Sequence, residues 1–142
     1  MESLSERDRA KKLWESRVFK IRKENKMQFI CYSKCTTCQK AKKWLDEKNI
    51  RYQERAIKTE NPGYEELKDW LAVSGLPVKK FFNTSGLLYK DMNLKDRLPQ
   101  MSEDEQVRLL ASDGMLVKRP LLIGRDWVLV GFKETEWSEK LG

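Results

Sequence analysis

Met27-Gln28-Phe29-Ile30-Cys31-Tyr32-Ser33-Lys34-Cys35-Thr36-Thr37-Cys38-Gln39-Lys40-Ala41 is the stretch whose reading decides the fold. Its opening Met27-Gln28-Phe29-Ile30-Cys31-Tyr32 is a short apolar run suited to a buried strand. From Thr36 to about residue 49 the pattern turns helical. Ala41, Trp44 and Leu45 make an apolar stripe, and Lys40, Lys42 and Lys43 fall largely outside it. Asn49 reads as its stop, and residues 50–57 read as a second strand. Strand, helix and strand within about 30 residues is the spacing of a βαβ unit, which implies two parallel strands and a right-handed crossover. Cys35 and Cys38 therefore sit where a strand gives way to a helix.

Downstream, Asn61-Pro62 predicts a cap and a proline in the first turn of a helix whose stripe is Leu67, Trp70 and Leu71 and whose stop is Ser74-Gly75. Leu76-Pro77 and the turn-rich Asn83-Thr84-Ser85-Gly86 follow, with Gly86 expected to serve a turn. Ser102 and Glu105 form a capping box, Val107, Leu110 and Ala111 face inward, and Asp113-Gly114 ends that helix. Leu121-Leu122-Ile123 and residues 127–130, joined by Gly124-Arg125-Asp126, predict an antiparallel hairpin. A last short helix over residues 134–141 places Trp137 and Leu141 on one side. Trp44, Trp70, Trp127 and Trp137 occupy periodic apolar positions and read as packing residues, and Phe81-Phe82 as core of the middle segment. The fold class is α/β, with a mixed four-stranded sheet in a thioredoxin-like topology and an all-helical insertion between its halves.

The chain of 142 residues is long enough for one core without metal or disulfide staples. Its net charge of +7 is uneven. Residues 1–26 hold nine Lys/Arg and five Asp/Glu, a net +4, and the other 116 residues carry +3. Residues 5–24 read as an amphipathic helix with Leu13, Trp14, Val18 and Ile21 on one face. The domain organisation is thus a basic N-terminal extension, 1–26, and a domain, 27–142. An isolated helix of that length is marginal, so the extension is either an accessory helix docked on the domain or a second copy, or a frayed tail. Nothing resembles a dedicated nucleic-acid-binding surface, so no direct nucleic-acid contact is expected. No apolar run approaches the roughly 18–20 residues of a membrane span, and the first residues lack the pattern of a secretory signal. The expected compartment is cytoplasmic, where a CxxC is kept reduced between turnovers.

There is no histidine. That excludes His-based acid–base catalysis, Cys–His dyads and His-containing metal sites. Three cysteines, Cys31, Cys35 and Cys38, cannot complete a four-cysteine zinc site within one chain, so no metal is expected, although a carboxylate ligand or a site shared between chains stays open. A thiolate is the nucleophile of thiol chemistry, and an ordinary cysteine, whose pKa lies above neutrality, is mostly protonated at neutral pH. Cys35 stands just before a helix, where unpaired N–H groups favour an anion, with Lys34 beside it and Lys40 near the first turn. Cys38, one turn later, is placed to attack a mixed disulfide formed on Cys35. A bare CxxC is also compatible with half a metal site or two packed thiols; its place between strand and helix gives it redox meaning. Cys31, mid-strand, reads as a small buried hydrophobe.

Three stretches resemble the arsenate reductase-like family of the thioredoxin superfamily, which also contains Spx-type and MgsR-type regulators. They are Tyr32 to Ala41, Gly86-Leu87-Leu88-Tyr89-Lys90 with the preceding Phe81-Phe82-Asn83, and Lys118-Arg119-Pro120-Leu121-Leu122-Ile123. The resemblance spans about residues 27–141. It implies that Cys35 is the catalytic or first redox cysteine, that Cys38 is the second cysteine of the Spx-type motif, and that Arg119 and a cis Pro120 border the site. It further implies glutathione, glutaredoxin or thioredoxin as electron donor and, for a regulator, the RNA polymerase α subunit as partner. Family reductases hold the oxyanion with three arginines. Here only Arg119 matches; the first position holds Lys79 and the third falls near Gly131. Lysine binds an oxyanion as a point charge without the arginine fork, and glycine brings no side chain.

Overall fold

The computed structural model describes residues 27–141. The expected helix over residues 5–24 and the boundary near residue 26 lie outside the described residues. In order, the described elements are β1 (Gln28–Cys31), α1 (Thr36–Glu47), β2 (Gln53–Ala56), α2 (Tyr64–Ser74), α3 (Leu87–Asp91), α4 (Leu94–Arg97), α5 (Glu103–Ser112), β3 (Leu121–Ile123), β4 (Val128–Val130) and α6 (Glu134–Leu141), with short 3-10 turns at Val78–Phe81, Leu98–Gln100 and Gly114–Leu116.

Among the described residues four strands form one mixed sheet in the order β2-β1-β3-β4. β1 pairs parallel with β2 and antiparallel with β3, and β3 pairs antiparallel with β4. The expected fold class, βαβ start and C-terminal hairpin are therefore observed. Strand side chains alternate between faces, and the core divides accordingly. Ile30, Leu121 and Ile123 enter a core with Leu67, Trp70, Phe82 and Leu110 from the helical insertion. Phe29, Cys31 and Leu122 enter a second core with Ala41, Trp44 and Leu45 of α1 and Trp137 of α6. A sheet covered on both faces needs apolar residues at successive positions. This is why β1 and β3 read as continuous apolar runs.

Trp137 is fully buried, with its ring edge-to-face against Phe29, Trp44 and Phe132. The expected inward positions of α5 are borne out at Val107 and Leu110, and Ser102 Oγ accepts from the Glu105 N–H while Glu105 accepts from the Ser102 N–H.

Three expectations need correction. β2 begins at Gln53 rather than residue 50, because the first ladder bond runs from the Gln53 N–H to the Met27 carbonyl; Ile50 and Tyr52 pack beside the second core before pairing starts. The Asn61-Pro62 pair does not cap α2. Gly63 does, with its N–H donating 3.1 Å to Glu66 Oε1. Asn61 instead donates through Nδ2 to the Ala111 carbonyl, 2.8 Å away at the end of α5. The turn-rich stretch leads into α3 and α4, two helices too short to show periodicity. Gly86 does close the expected turn, its N–H donating to the Asn83 carbonyl at 3.1 Å, and it does so at an ordinary φ of −77°. It is required by close approach, since a Cβ there would lie 2.7 Å from Asn83 Nδ2.

Candidate functional site

α1 begins immediately after Cys35, whose extended backbone (φ −91°, ψ 121°) makes it the N-cap. The Cys35 N–H donates to the Tyr32 carbonyl at 3.0 Å, closing the turn between strand and helix, and the Cys35 carbonyl accepts the first helical bond from Gln39 N–H. The Gln39 side chain reaches back to the Ser33 carbonyl at 2.9 Å and holds the turn from outside. No acidic residue occupies the first turn of α1, so the positive end of the helix is uncompensated beside Cys35.

The two thiols are unbonded and differ in environment. Cys35 is half-buried, whereas Cys38 is only 3% exposed. Burial pushes the Cys35 thiol up. The Cys38 backbone N–H, the Arg119 guanidinium and the Cys38 thiol more than offset that and bring it below the usual thiol range. Cys38 moves the other way. Burial, opposed by the Tyr32 N–H 3.4 Å from Cys38 Sγ, and then the neighbouring Cys35, push its thiol up to about 12. The surroundings thus favour the thiolate at Cys35 more than at an ordinary cysteine and keep Cys38, one turn on, protonated. The cation that acts on Cys35 is Arg119; the expected flanking lysines, Lys34 and Lys40, are exposed.

Arg119 reaches the site from the far half of the chain. Its guanidinium lies 4.9 Å from the Tyr32 ring centroid, and Nη1 lies 3.8 Å from Met115 Sδ. The Arg119–Pro120 bond is cis, as the resemblance implies. The segment is pinned on both sides. Lys118 N–H donates to the Phe81 carbonyl at 2.7 Å, and the Pro120 carbonyl accepts from Gly131 N–H at 2.8 Å. Gly131 has a φ of +74°, and its own carbonyl accepts from the buried Trp137 indole at 3.1 Å.

Cys35, Cys38 and Arg119 are thus brought together, and Pro120 follows Arg119 through the cis bond with its carbonyl turned to Gly131. Lys79 lies on the Val78–Phe81 turn and lines a groove that none of Cys35, Cys38 and Arg119 lines. Cys31 is 6% exposed and donates to Glu54 Oε1 at 3.4 Å; burial and then that carboxylate push its thiol up to about 12. Tyr32 and Met115 are the residues that sequence reasoning did not assign. Tyr32 stands in the diagnostic stretch itself, and its adjacency to the CxxC is the signal that could have found it.

The description of the ArsC family matches residues 31–140. YusI, an uncharacterized protein of Bacillus subtilis, is 54% identical over 113 residues, covering 80% of this chain and 96% of that protein. The regulatory protein MgsR of Bacillus subtilis is 30% identical over 113 residues, covering 80% of this chain and 88% of MgsR. A solved structure from Bacteroides fragilis, described as an ArsC family related protein, superposes with a TM-score of 0.79 at 58% identity, covering 80% of this chain and 96% of that one.

Proposed function

This chain belongs to the ArsC family, and from that premise we propose that it is a thiol–disulfide redox protein in which Cys35 attacks and Cys38 resolves. The observation that carries the reading is the opposite push on two adjacent thiols, Cys35 down and Cys38 up. The Cys35 thiolate attacks one sulfur of a substrate disulfide, forms a mixed disulfide and expels the other sulfur as a thiolate. Cys38 then loses its proton to solvent or to the departing thiolate and attacks Cys35 Sγ. The Cys35–Cys38 disulfide forms and the second substrate thiolate leaves. Two electrons pass from the dithiol to the substrate. A thiol donor (glutathione, glutaredoxin or thioredoxin) returns them. Arg119 stabilises the attacking thiolate and could hold an oxyanion beside it. Arsenate would draw on the same two electrons, with Arg119 as the one matching arginine. A transient disulfide suits a reducing compartment, so the cytoplasm is the proposed location.

The test is NADPH oxidation coupled through glutathione–glutaredoxin and, separately, through thioredoxin, with a model disulfide or arsenate as acceptor. Turnover is expected to disappear in Cys35→Ser, and Cys38→Ser should accumulate a mixed disulfide visible by intact-mass spectrometry. Turnover that survives Cys35→Ser would sink the assignment of the nucleophile.

The similarity to the regulatory protein MgsR supports a second reading, a regulator, which the family resemblance makes a redox switch with the RNA polymerase α subunit as partner. It predicts little turnover, a Cys35–Cys38 disulfide under mild oxidant, and retention of purified α subunit that differs between the two redox states. Equal retention in both states, or none, counts against it.

A further inference from the structure

The open edge of β4 carries a surface that the thiol chemistry does not use. β4 ends the strand order, so one of its edges is unpaired within the sheet. Hydrogen-bonded and non-bonded residues alternate along an antiparallel pair. The bonds from Gly124 N–H to the Trp127 carbonyl and from Gly131 N–H to the Pro120 carbonyl fix the phase of that alternation. Leu129, opposite Leu122, turns its N–H and carbonyl toward β3. Val128 and Val130 turn theirs outward, and among the described residues nothing pairs with them.

Val128, Leu129 and Val130 all line one open groove of about 1030 Å³. Successive strand residues face opposite sides, so a groove touching three in a row runs along the strand's edge. Its volume is at or above the upper end of small-molecule sites, roughly 300–1,000 Å³. Leu76, 37% exposed, adds an apolar rim.

The groove is also basic. Lys79 and Lys80 approach from the Val78–Phe81 turn, Lys118 from the segment before β3, and Lys133 and Lys140 from either end of α6. Two carboxylates, Glu136 and Glu139, line it as well, and Glu136 lies 3.9 Å from Lys133. Lys79, Lys80 and Lys118 have no carboxylate partner among the described residues. Val128 and Val130 belong to the insertion-side core, whereas Leu129 packs with the core of α1 and α6. Lys79 and Lys80 therefore flank the edge from the insertion side, and Lys133 and Lys140 from the α6 side.

We propose that this groove binds an extended acidic peptide segment of a partner protein, which adds to the sheet as a fifth strand beside β4. Outward N–H and carbonyl groups of Val128 and Val130 supply the main-chain bonds of strand addition. Alternate side chains of the added strand point to opposite faces, and Asp or Glu on either face meets lysine. Charge argues against the other occupants. Residues 1–26 of this chain carry +4, and two copies joined edge to edge would bring two basic grooves together.

The experiment uses the full-length reduced chain and a fluorescein-labelled peptide of repeating Glu-Val, with repeating Lys-Val as control, read by anisotropy. Saturable binding of the acidic peptide alone is expected, weakening with salt. Lys79→Glu/Lys80→Glu should weaken it by roughly tenfold or more. Val130→Pro deletes an outward N–H and leaves the bonds of Leu129 to β3 in place, and should weaken it similarly. Amide exchange guards against misfolding of that variant. The peptide should slow exchange at Val128 and Val130, and Leu129 should be slow already. Equal binding of the two peptides, or binding indifferent to both variants, overturns the proposal. So does protection of Val128 and Val130 in the chain alone, which would mean residues 1–26 hold the edge. A dimer in sedimentation that Val130→Pro dissociates would likewise replace the partner with a second copy.

Discussion

Cys31 offers a test of how far burial controls the thiols. It ends β1 opposite Ala56, 6% exposed, with its sulfur 3.4 Å from the Glu54 carboxylate. Burial first, and then that carboxylate, raise its pKa from the ordinary 9.0 to about 12. Between those values the folded chain keeps a proton that the unfolded chain releases, so stability must fall as pH rises. From pH 8 to pH 10 the unfolded thiol passes from mostly protonated to mostly ionised while the folded one stays neutral, a loss of roughly 1.4 kcal/mol. Cys38 is raised as well, but it shares a hydrogen bond with Cys35. The lowered pKa of Cys35 has the opposite sign, giving stability that is present above the ordinary thiol pKa and lost as pH falls through the folded value. Cys31 is the cleaner reporter. The assay is urea unfolding of wild type and Cys31→Ala at both pH values with reductant present. The packing lost with the sulfur is common to both conditions and cancels. The stability advantage of wild type over the variant should therefore shrink by roughly 1.4 kcal/mol on going to pH 10. An advantage that stays constant would refute the claim that Cys31 is held neutral.

Arg119→Ala should raise the Cys35 pKa and slow its alkylation by iodoacetamide at neutral pH, with Arg119→Lys intermediate; an unchanged pH–rate profile would remove Arg119 from the site. Ser102→Ala removes the cap bond to Glu105 N–H and should cost about 1 kcal/mol in denaturant unfolding, whereas a cost near zero would mean the capping box is idle. Trp137→Ala empties the centre of the second core and should destabilise by about 3–5 kcal/mol. Unfolding at nearly the wild-type denaturant midpoint would show that Phe29, Trp44 and Phe132 close over the space.

The parts of the fold legible in the sequence are those whose signals are local. The capping box at Ser102, the stop at Gly75 in the left-handed region and the turn before α1 are each decided within a few residues. What stayed hidden depends on partners distant in the chain. β2 starts where Met27, just ahead of β1, offers it a carbonyl, so its own apolar residues could not give the boundary. Asn61 looks like a cap, but α5 captures its side chain. At the site, the CxxC and its helix were readable, and the source of positive charge was read locally as Lys34 and Lys40. Arg119 acts instead, and its approach to Tyr32 depends on β3 pairing with β1. The free edge of β4 was beyond reach, because which groups of a three-residue strand face outward depends on ladder phase.

The middle position of β1 has a consequence for synthesis. Ribosomes release the N-terminal part first, so β1, Cys35 and Cys38 emerge well before β3 and Arg119 exist. A nascent chain can assemble β1, α1 and β2 from near neighbours, but the central strand keeps one bare flank until the ladder between Gln28 and Ile123 closes. Until then Cys35 lacks its guanidinium and remains a more ordinary thiol. The lowered pKa of Cys35 is thus a property of the completed chain, because the cation that helps to lower it is made more than eighty residues after the thiol.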